Sequence, residues 1–264
     1  MSAPRPSVVV VVPTLGTRLD TLGESLDSVR AQDGVDVHLV VVVPADATEA
    51  RAIATRAGAT HVDDPRRGLS AAVNAGISAR GDQAYYAWLG DDDLLLPGGL
   101  RTLSSLLEET PSAVVAYGGC PYIDDQGRTV TASRAGGLAT RLLAWGPNLL
   151  PQPASLSRVD AVVAAGPYDE SLRYAMDLDM WLRLRRSGAF VWTKTDVAAF
   201  RWHGDSLTVS NRSLSLQESE RIKRRYLPGL ARRVAPVWEV PVRLATRLAA
   251  RQVTARARKL TSVD

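Results

Sequence analysis

The chain has 264 residues, 45% of them hydrophobic and 23% charged. Those proportions suit a soluble globular protein with a substantial core and exclude a disordered or fibrous one. A single cysteine, Cys120, rules out an internal disulfide and fits a reducing compartment. The N-terminal run of five valines is too short for a signal-peptide core, and no apolar run reaches the length of a membrane span; a cytoplasmic protein is expected.

The net charge of +4 is unevenly spread. From Arg212 onward 13 basic residues stand against 4 acidic ones, a net of +9, which leaves −5 for residues 1–211. The imbalance predicts a boundary near residue 211, between one α/β domain and a basic helical tail over 212–264.

In chain order, valines 8–12 predict a parallel strand buried on both faces. A loop over Pro13–Arg18 leads to a helix over Leu19–Gln32, then a second buried strand at Val37–Val43 and an Ala-rich helix at Thr48–Ala57. A short strand at His61–Val62, a helix over Gly68–Ala79 and a strand at 84–89 complete a β-α-β-α-β-α-β alternation. That order predicts a mostly parallel sheet with ligands at the carboxyl ends of its strands. The unusual polar groups of this half fall at such ends: Thr14 and Arg18, Asp46, Asp63 and Asp64, and Asp91 to Asp93. A nucleotide-type site follows. No GxGxxG follows the first strand and no P-loop occurs, so neither a dinucleotide fold nor a P-loop ATPase is supported.

The stretch 81–100 organises the rest. Its apolar strand runs straight into Asp91, Asp92 and Asp93, and a second apolar triplet, Leu94 to Leu96, follows at once. Carboxylates packed between buried flanks repel one another, and a bound cation relieves them; the cluster is a candidate Mg²⁺ or Mn²⁺ site for a diphosphate. The plain alternative is a polar turn with an Asp capping the next helix.

Beyond it come a helix at about Gly99–Glu109, a strand at Ala113–Tyr117, a hairpin turn over Tyr122–Arg128 and a Gly- and Pro-rich loop over 133–153. A helix at Val159–Ala165 precedes a second acidic set, Asp177 and Asp179, ahead of a helix bearing Trp181. One of these carboxylates can cap the helix while the other faces a cleft; two acids favoured by the helix dipole is the simpler account of either. A strand over Val191–Phe200 closes the domain and ends at Arg201-Trp-His203.

Taken together, these motifs resemble the inverting glycosyltransferases of family 2, with a GT-A fold, over roughly residues 7–210. Val11-Val-Pro-Thr14 resembles the opening strand and nucleotide loop, and Gly68 to Gly76, with Asn74, the helix beside the donor diphosphate. Leu89 to Pro97 resembles the DxD metal motif. Ala165 to Glu170 and Met176 to Arg183 resemble the acceptor-side pair, in which Asp177 falls at the catalytic base. Arg201-Trp-His203 with Ser206 resembles the closing His motif. The sequence departs from the family at three points. Only Asp46 remains of the acidic pair that grips the base, Gly90 replaces the first Asp of the DxD, and Met176 precedes the base where Glu is frequent.

The resemblance implies a donor half over 7–93 and an acceptor half over 94–211. Asp177 is then the general base, and Asp91, Asp92, Asp93 and His203 are the ligands of a divalent metal. Pro13, Thr14, Arg18, Asp46, Asn74 and Asp91 bind the donor, and Asp179 and Trp181 lie on the acceptor side. The expected donor is a nucleotide-diphosphate sugar, with a UDP-sugar favoured; the acceptor is a glycan or lipid-linked hydroxyl of the kind used in cell-surface polysaccharide synthesis. One carboxylate suffices as base for inverting transfer, and no covalent nucleophile is needed. Two alternatives are a sugar-1-phosphate nucleotidyltransferase, for which only Gly16 and Arg18 stand where a Gly-rich basic loop is usual, and a non-catalytic nucleotide-sugar-binding module.

In the tail, Leu244, Ala245, Leu248, Ala249 and Val253 share a helical face opposite Arg243, Arg247, Arg251 and Arg258. Residues 242–260 thus have the pattern of an interfacial helix on an anionic membrane, peripheral on the inner face. The other account is a helix packed on its own domain or on a homodimer partner, with its arginines solvated. Nucleic-acid binding is not expected, since the tail has few aromatics and no recognisable module.

Overall fold

The computed structural model describes residues 5–133, 136–202, 212–246 and 248. The first half follows the predicted alternation closely: β1 (Ser7–Pro13), α1 (Leu19–Arg30), β2 (Asp36–Val43), α2 (Thr48–Arg56), β3 (Thr60–Asp63), α3 (Leu69–Ser78) and β4 (Tyr85–Trp88). These four strands are parallel, in the order β3-β2-β1-β4.

Alternation along β1 explains why five valines stand in a row. Val8, Val10 and Val12 enter one core with Leu22 and Leu26 of α1, while Val9 and Val11 enter the other with Val73 of α3. Burying each valine on a two-sided strand contributes about 1.5–3 kcal/mol. The layers fit closely at Gly76 of α3, where a Cβ would come within 2.3 Å of a Val11 methyl carbon. Only a glycine lets the helix lie that near the strand.

The second half comprises β5 (Leu94–Leu95), α4 (Gly99–Glu109), β6 (Ala113–Ile123), β7 (Thr129–Ser133), α5 (Gly137–Leu142), β8 (Ser155–Arg158), α6 (Val159–Ala165), α7 (Met176–Leu184), β9 (Ala189–Asp196) and β10 (Ala198–Arg201). Here the sheet is mixed. β8 lies antiparallel between β4 and β6, and β5 is antiparallel to β10. The first four strands are wholly parallel, as expected, and in the second half β6 is parallel to β9 and β10 but antiparallel to β7 and β8. The sequence Ser-Leu-Ser-Arg of β8 sends one apolar side chain, Leu156, fully into the core, too weak a pattern to announce a strand. The single strand expected at 191–200 breaks at Val197, whose N–H donates to Gly119 O while its carbonyl accepts from Leu96 N. β6 and β7 form the predicted hairpin, and α5 interrupts the predicted 133–153 loop.

The basic C-terminal segment continues as α8 (Arg212–Tyr226), α9 (Gly229–Val234) and a helix over residues 236–246, α10. It is not set apart from the sheet. Ile222 of α8 is fully buried in the same core as Leu178 and Leu182 of α7. The Glu218 carboxylate accepts from the N–H groups of Arg173, Tyr174 and Ala175 at 3.1, 2.6 and 2.7 Å. Arg173 and Tyr174 lead into α7 and Ala175 is its N-cap, so Glu218 sets a negative charge at the N-terminus of α7 and fastens α8 to it.

Candidate active site

A cavity of about 1350 Å³ opens at the carboxyl ends of β1 and β4, where the sequence pattern predicts ligands. It is larger than the roughly 300–1,000 Å³ of an ordinary small-ligand pocket. Its walls come from the β1–α1 loop, the start of α3, the acidic run after β4, the loop 145–153, the first turn of α7, and α8 and α10.

At the donor end, Thr14 Oγ1 donates to Asp91 Oδ2 at 2.6 Å, and Arg18 Nη1 donates to Asp92 Oδ2 at 2.5 Å. The ends of β1 and β4, with five elements between them in sequence, are tied through these side chains. Pro13, Thr14, Arg18, Asp91 and Asp92 all line the cavity together, as does the start of α3, whose free N–H groups favour an anion. Burial raises the pKa of Asp91, helped by the neighbouring charge of Asp92, while Thr14 opposes the shift.

Asp93 also borders the cavity but is more deeply buried. Only 3% exposed, it accepts from Arg201 N at 3.0 Å, and burial pushes its pKa well above the usual carboxylate value. Arg201, itself buried, also donates to Asp92 O, to the carbonyls of Asp124 and Asp125, and to Glu24 Oε2. This arginine organises the acidic turn; the sequence places it in the closing motif but does not show this role, because its partners are mostly backbone groups distant in the chain. Gly90 leaves room for these carboxylates, since a Cβ there would lie 2.8 Å from Asp92 Oδ1 and 3.0 Å from Asp93 Oδ2.

Among the described residues, no group of three or more His, Cys, Asp or Glu side chains is arranged to hold a metal. His203, the fourth expected ligand, lies outside the described residues, as does Ser206. The donor set nevertheless fits Mg²⁺ or Mn²⁺. Such ions keep several waters and need only one or two carboxylates besides the substrate phosphates. Asp91 and Asp92 offer those oxygens toward the cavity, where the Arg18 guanidinium supplies the positive charge.

Two expected donor residues do other work. Asn74 is a backbone clamp: its Nδ2 donates to Tyr168 O at 2.9 Å, and its Oδ1 accepts from Tyr168 N at 2.8 Å. That pins the loop before α7 to α3. Asp46 is exposed and paired with Arg66, which holds its pKa below the ordinary value, and it does not line the cavity. Pro44, Asp64, Arg66 and Arg67 line it instead. Arg66 adopts a left-handed backbone (φ 55°), stabilised by its N–H donating to Asp64 Oδ1. The signal for this wall was the run Asp63-Asp-Pro-Arg-Arg67 after β3.

Across the cavity, Asp177 stands in the first turn of α7. Trp88 Nε1, at the end of β4, donates to its Oδ1 at 3.0 Å, and Gln152 Nε2 in turn donates to Trp88 O at 2.6 Å. Burial pushes the pKa of Asp177 up to about 7, against the lowering effect of the Trp88 bond. A carboxylate so poised is suited to take a proton near neutrality. Asp179 faces away from the cavity. It accepts from Arg183 Nε at 2.9 Å and from Tyr226 O–H at 3.1 Å. Arg183 then holds the carbonyls of Ala165, Gly166 and Pro167. Asp179 is therefore a brace for the Gly166–Glu170 loop, neither a helix cap nor a cavity residue, while Trp181 is buried with its edge on the cavity wall.

A sheet of this order with an acidic turn after its fourth strand belongs to the GT-A glycosyltransferases. Mannosyltransferase PcManGT from Pyrobaculum calidifontis, solved with GDP-Man and Mn²⁺, superposes with a TM-score of 0.68 at 17% identity, over 99% of this chain and 77% of that one. S. aureus TarS 1-349 with UDP-GlcNAc gives 0.63 at 14% identity, over 86% and 72%. The family model for glycosyl transferase family 2 matches residues 9–159, more than half of the chain. The chain belongs to that family. Among its relatives, an uncharacterized glycosyltransferase of Rickettsia bellii is 24% identical over 76% of this chain, which spans 30% of that protein. An uncharacterized protein of Mycobacterium tuberculosis is 26% identical over 91% of this chain and 83% of its own length.

Proposed function

We propose that the protein transfers a sugar, with inversion, from a nucleotide-diphosphate donor to a hydroxyl of a glycan or lipid-linked acceptor. The observation that carries this is the pairing, across one cavity, of Asp177 with the Asp91–Asp92 turn. The acceptor O–H gives its proton to Asp177 as its oxygen attacks the anomeric carbon. The bond from that carbon to the diphosphate oxygen breaks on the opposite face, and the nucleoside diphosphate leaves. A divalent metal held by Asp91 and Asp92 would neutralise the diphosphate when bound. The donor sits along residues 7–93, with Pro13, Thr14 and Arg18 beside it; the relatives' nucleotides include UDP and GDP, and a UDP-sugar is the donor proposed here. The test is incubation with a panel of nucleotide sugars and Mn²⁺, following slow donor hydrolysis. Silence with every donor, together with no nucleotide binding, would overturn the proposal.

A specific observation supports a second element, docking on an anionic membrane through the C-terminal helices. Leu230, Val234, Val237, Val240, Leu244 and Leu248 are all strongly exposed, and most recur at helical spacing. Arg232 and Arg233 stand exposed among them. Of the four arginines in the tail pattern only Arg243 lies among the described residues; it turns to Glu220, while Leu244 and Leu248 are exposed. An outward apolar strip with exposed arginines complements an anionic interface. Among the described residues, no helix is long and apolar enough to cross a membrane.

A further inference from the structure

The cavity also extends to the loop after α5 and to α8 and α10. Trp145, on the loop after α5, meets Trp238 of α10 with ring centroids 5.4 Å apart and planes inclined by 42°. Trp145 is 45% exposed, Trp238 is partly exposed and both residues line the cavity, so the touching pair leaves aromatic surface facing it. Ser219, Glu220 and Lys223 of α8 line the same end.

The polar groups here are arranged for neutral hydroxyls. Glu220 is paired with Arg243 and Glu239 with Arg224, so the carboxylates are compensated before any ligand arrives. Lys223 donates one of its three protons to Gly146 O, and burial lowers its pKa to about 8, against the nearby carboxylates Glu220 and Glu239. A buried cation with depressed basicity beside two neutralised carboxylates is a poor phosphate site. It does hold donors and acceptors at fixed positions. Flat aromatic faces beside such groups match the two sides of a pyranose: C–H bonds on one face, hydroxyls around the rim. The same end also joins the base. Gln152, seven residues after Trp145, holds Trp88, which holds Asp177, and Lys223 lies on the helix whose Glu218 fastens to the N-terminus of α7.

We propose that this end is the acceptor subsite and that it takes a sugar ring, stacked on Trp145 and Trp238 and hydrogen-bonded by Ser219, Glu220 and Lys223. The inference rests on the transferase function proposed above. It makes the C-terminal helices part of the acceptor site.

The test is saturation-transfer NMR on the full chain with a mixture of methyl pyranosides, with and without UDP and Mn²⁺. At least one pyranoside should contact the wild type. Trp145→Ala and Trp238→Ala should weaken it by about tenfold or more, with UDP affinity unchanged within about twofold. Trp145→Phe and Trp238→Phe, which keep an aromatic face, should retain most of the binding and serve if an alanine variant fails to fold. A wild type that contacts no pyranoside, or alanine variants that bind as wild type does, would overturn the proposal. Failure of the transferase function would show separately, as a wild type that binds neither UDP nor GDP, and the pyranoside titration would then decide the subsite alone.

Discussion

Trp88 and Asp177 are 89 residues apart, and the 3.0 Å hydrogen bond between them joins the strand that carries the acidic turn to the helix that carries the base. One indole thus fixes the carboxylate opposite the donor end. It also lowers a pKa that burial raises, so the bond tunes the base as well as placing it.

Asp177→Asn should reduce turnover by about 10² or more, with donor affinity near wild type, as expected for loss of a general base. In the wild type, kcat should rise with pH through about 7 as the carboxylate loses its proton. Stability should move the other way. Between about pH 4 and 7 the folded chain keeps a proton on Asp177 that the unfolded chain has released, so raising the pH through that window costs stability. The cost is complete above pH 7, at most about 4 kcal/mol. Urea titrations at pH 4 and pH 8 check this: the Asn variant should match wild type at the lower pH and exceed it at the higher.

Trp88→Phe removes a bond that favours the charged carboxylate. The inflection in the pH–rate profile should move upward by about one pH unit. Activity lost near neutrality should return above pH 8.5 or so. A variant equally impaired at every pH would show that the indole only positions the carboxylate.

Asp92 and Asp93 should separate cleanly. Asp92→Ala should abolish Mn²⁺-dependent affinity for a nucleoside diphosphate while the fold persists, measured by calorimetry with and without the metal. Asp93→Ala instead leaves the buried Arg201 N–H without its acceptor and should cost about 1–3 kcal/mol of stability. If calorimetry shows the larger metal effect in Asp93→Ala, the roles given to the two carboxylates are reversed.

Arg183→Met leaves the buried Asp179 carboxylate without its cation and frees three carbonyls of the loop before Tyr168. A loss of about 3–5 kcal/mol is expected, as for breaking a buried pair. Asp179→Asn should be milder and should leave kcat largely intact, because that side chain does not face the cavity. A large fall in kcat at unchanged thermal stability would return Asp179 to the acceptor site.

Vesicle co-sedimentation tests the outward apolar strip. Wild type should bind anionic and not neutral vesicles, less at high salt, and a variant with Leu230, Val237 and Leu244 changed to Ser should lose the binding. A wild type that ignores vesicles, together with a variant that falls from dimer to monomer, would make the strip a contact between copies of the chain.

The sequence by itself determined the elements of the first half, because their signals are local. A run of five valines has no solvent-facing alternation, so it declares a two-sided strand wherever it occurs. The carboxylates after β4 likewise marked the cavity, since a charged run between apolar flanks is visible in one dimension. Tertiary structure alone decided which of the polar side chains are taken up by partners within the fold. Asp93, Asp179, Asn74 and Asp46 are spaced as site residues should be, yet each is claimed by a partner elsewhere in the fold: Arg201, Arg183, Tyr168 and Arg66. The basic tail shows the same limit. Its charge and amphipathic period are legible, but the face that turns inward is not. That was set by Glu220, which draws Arg243 against the cavity, and by Glu218, which fastens α8 to α7. Such pairings join residues distant in the chain, and no local pattern encodes them.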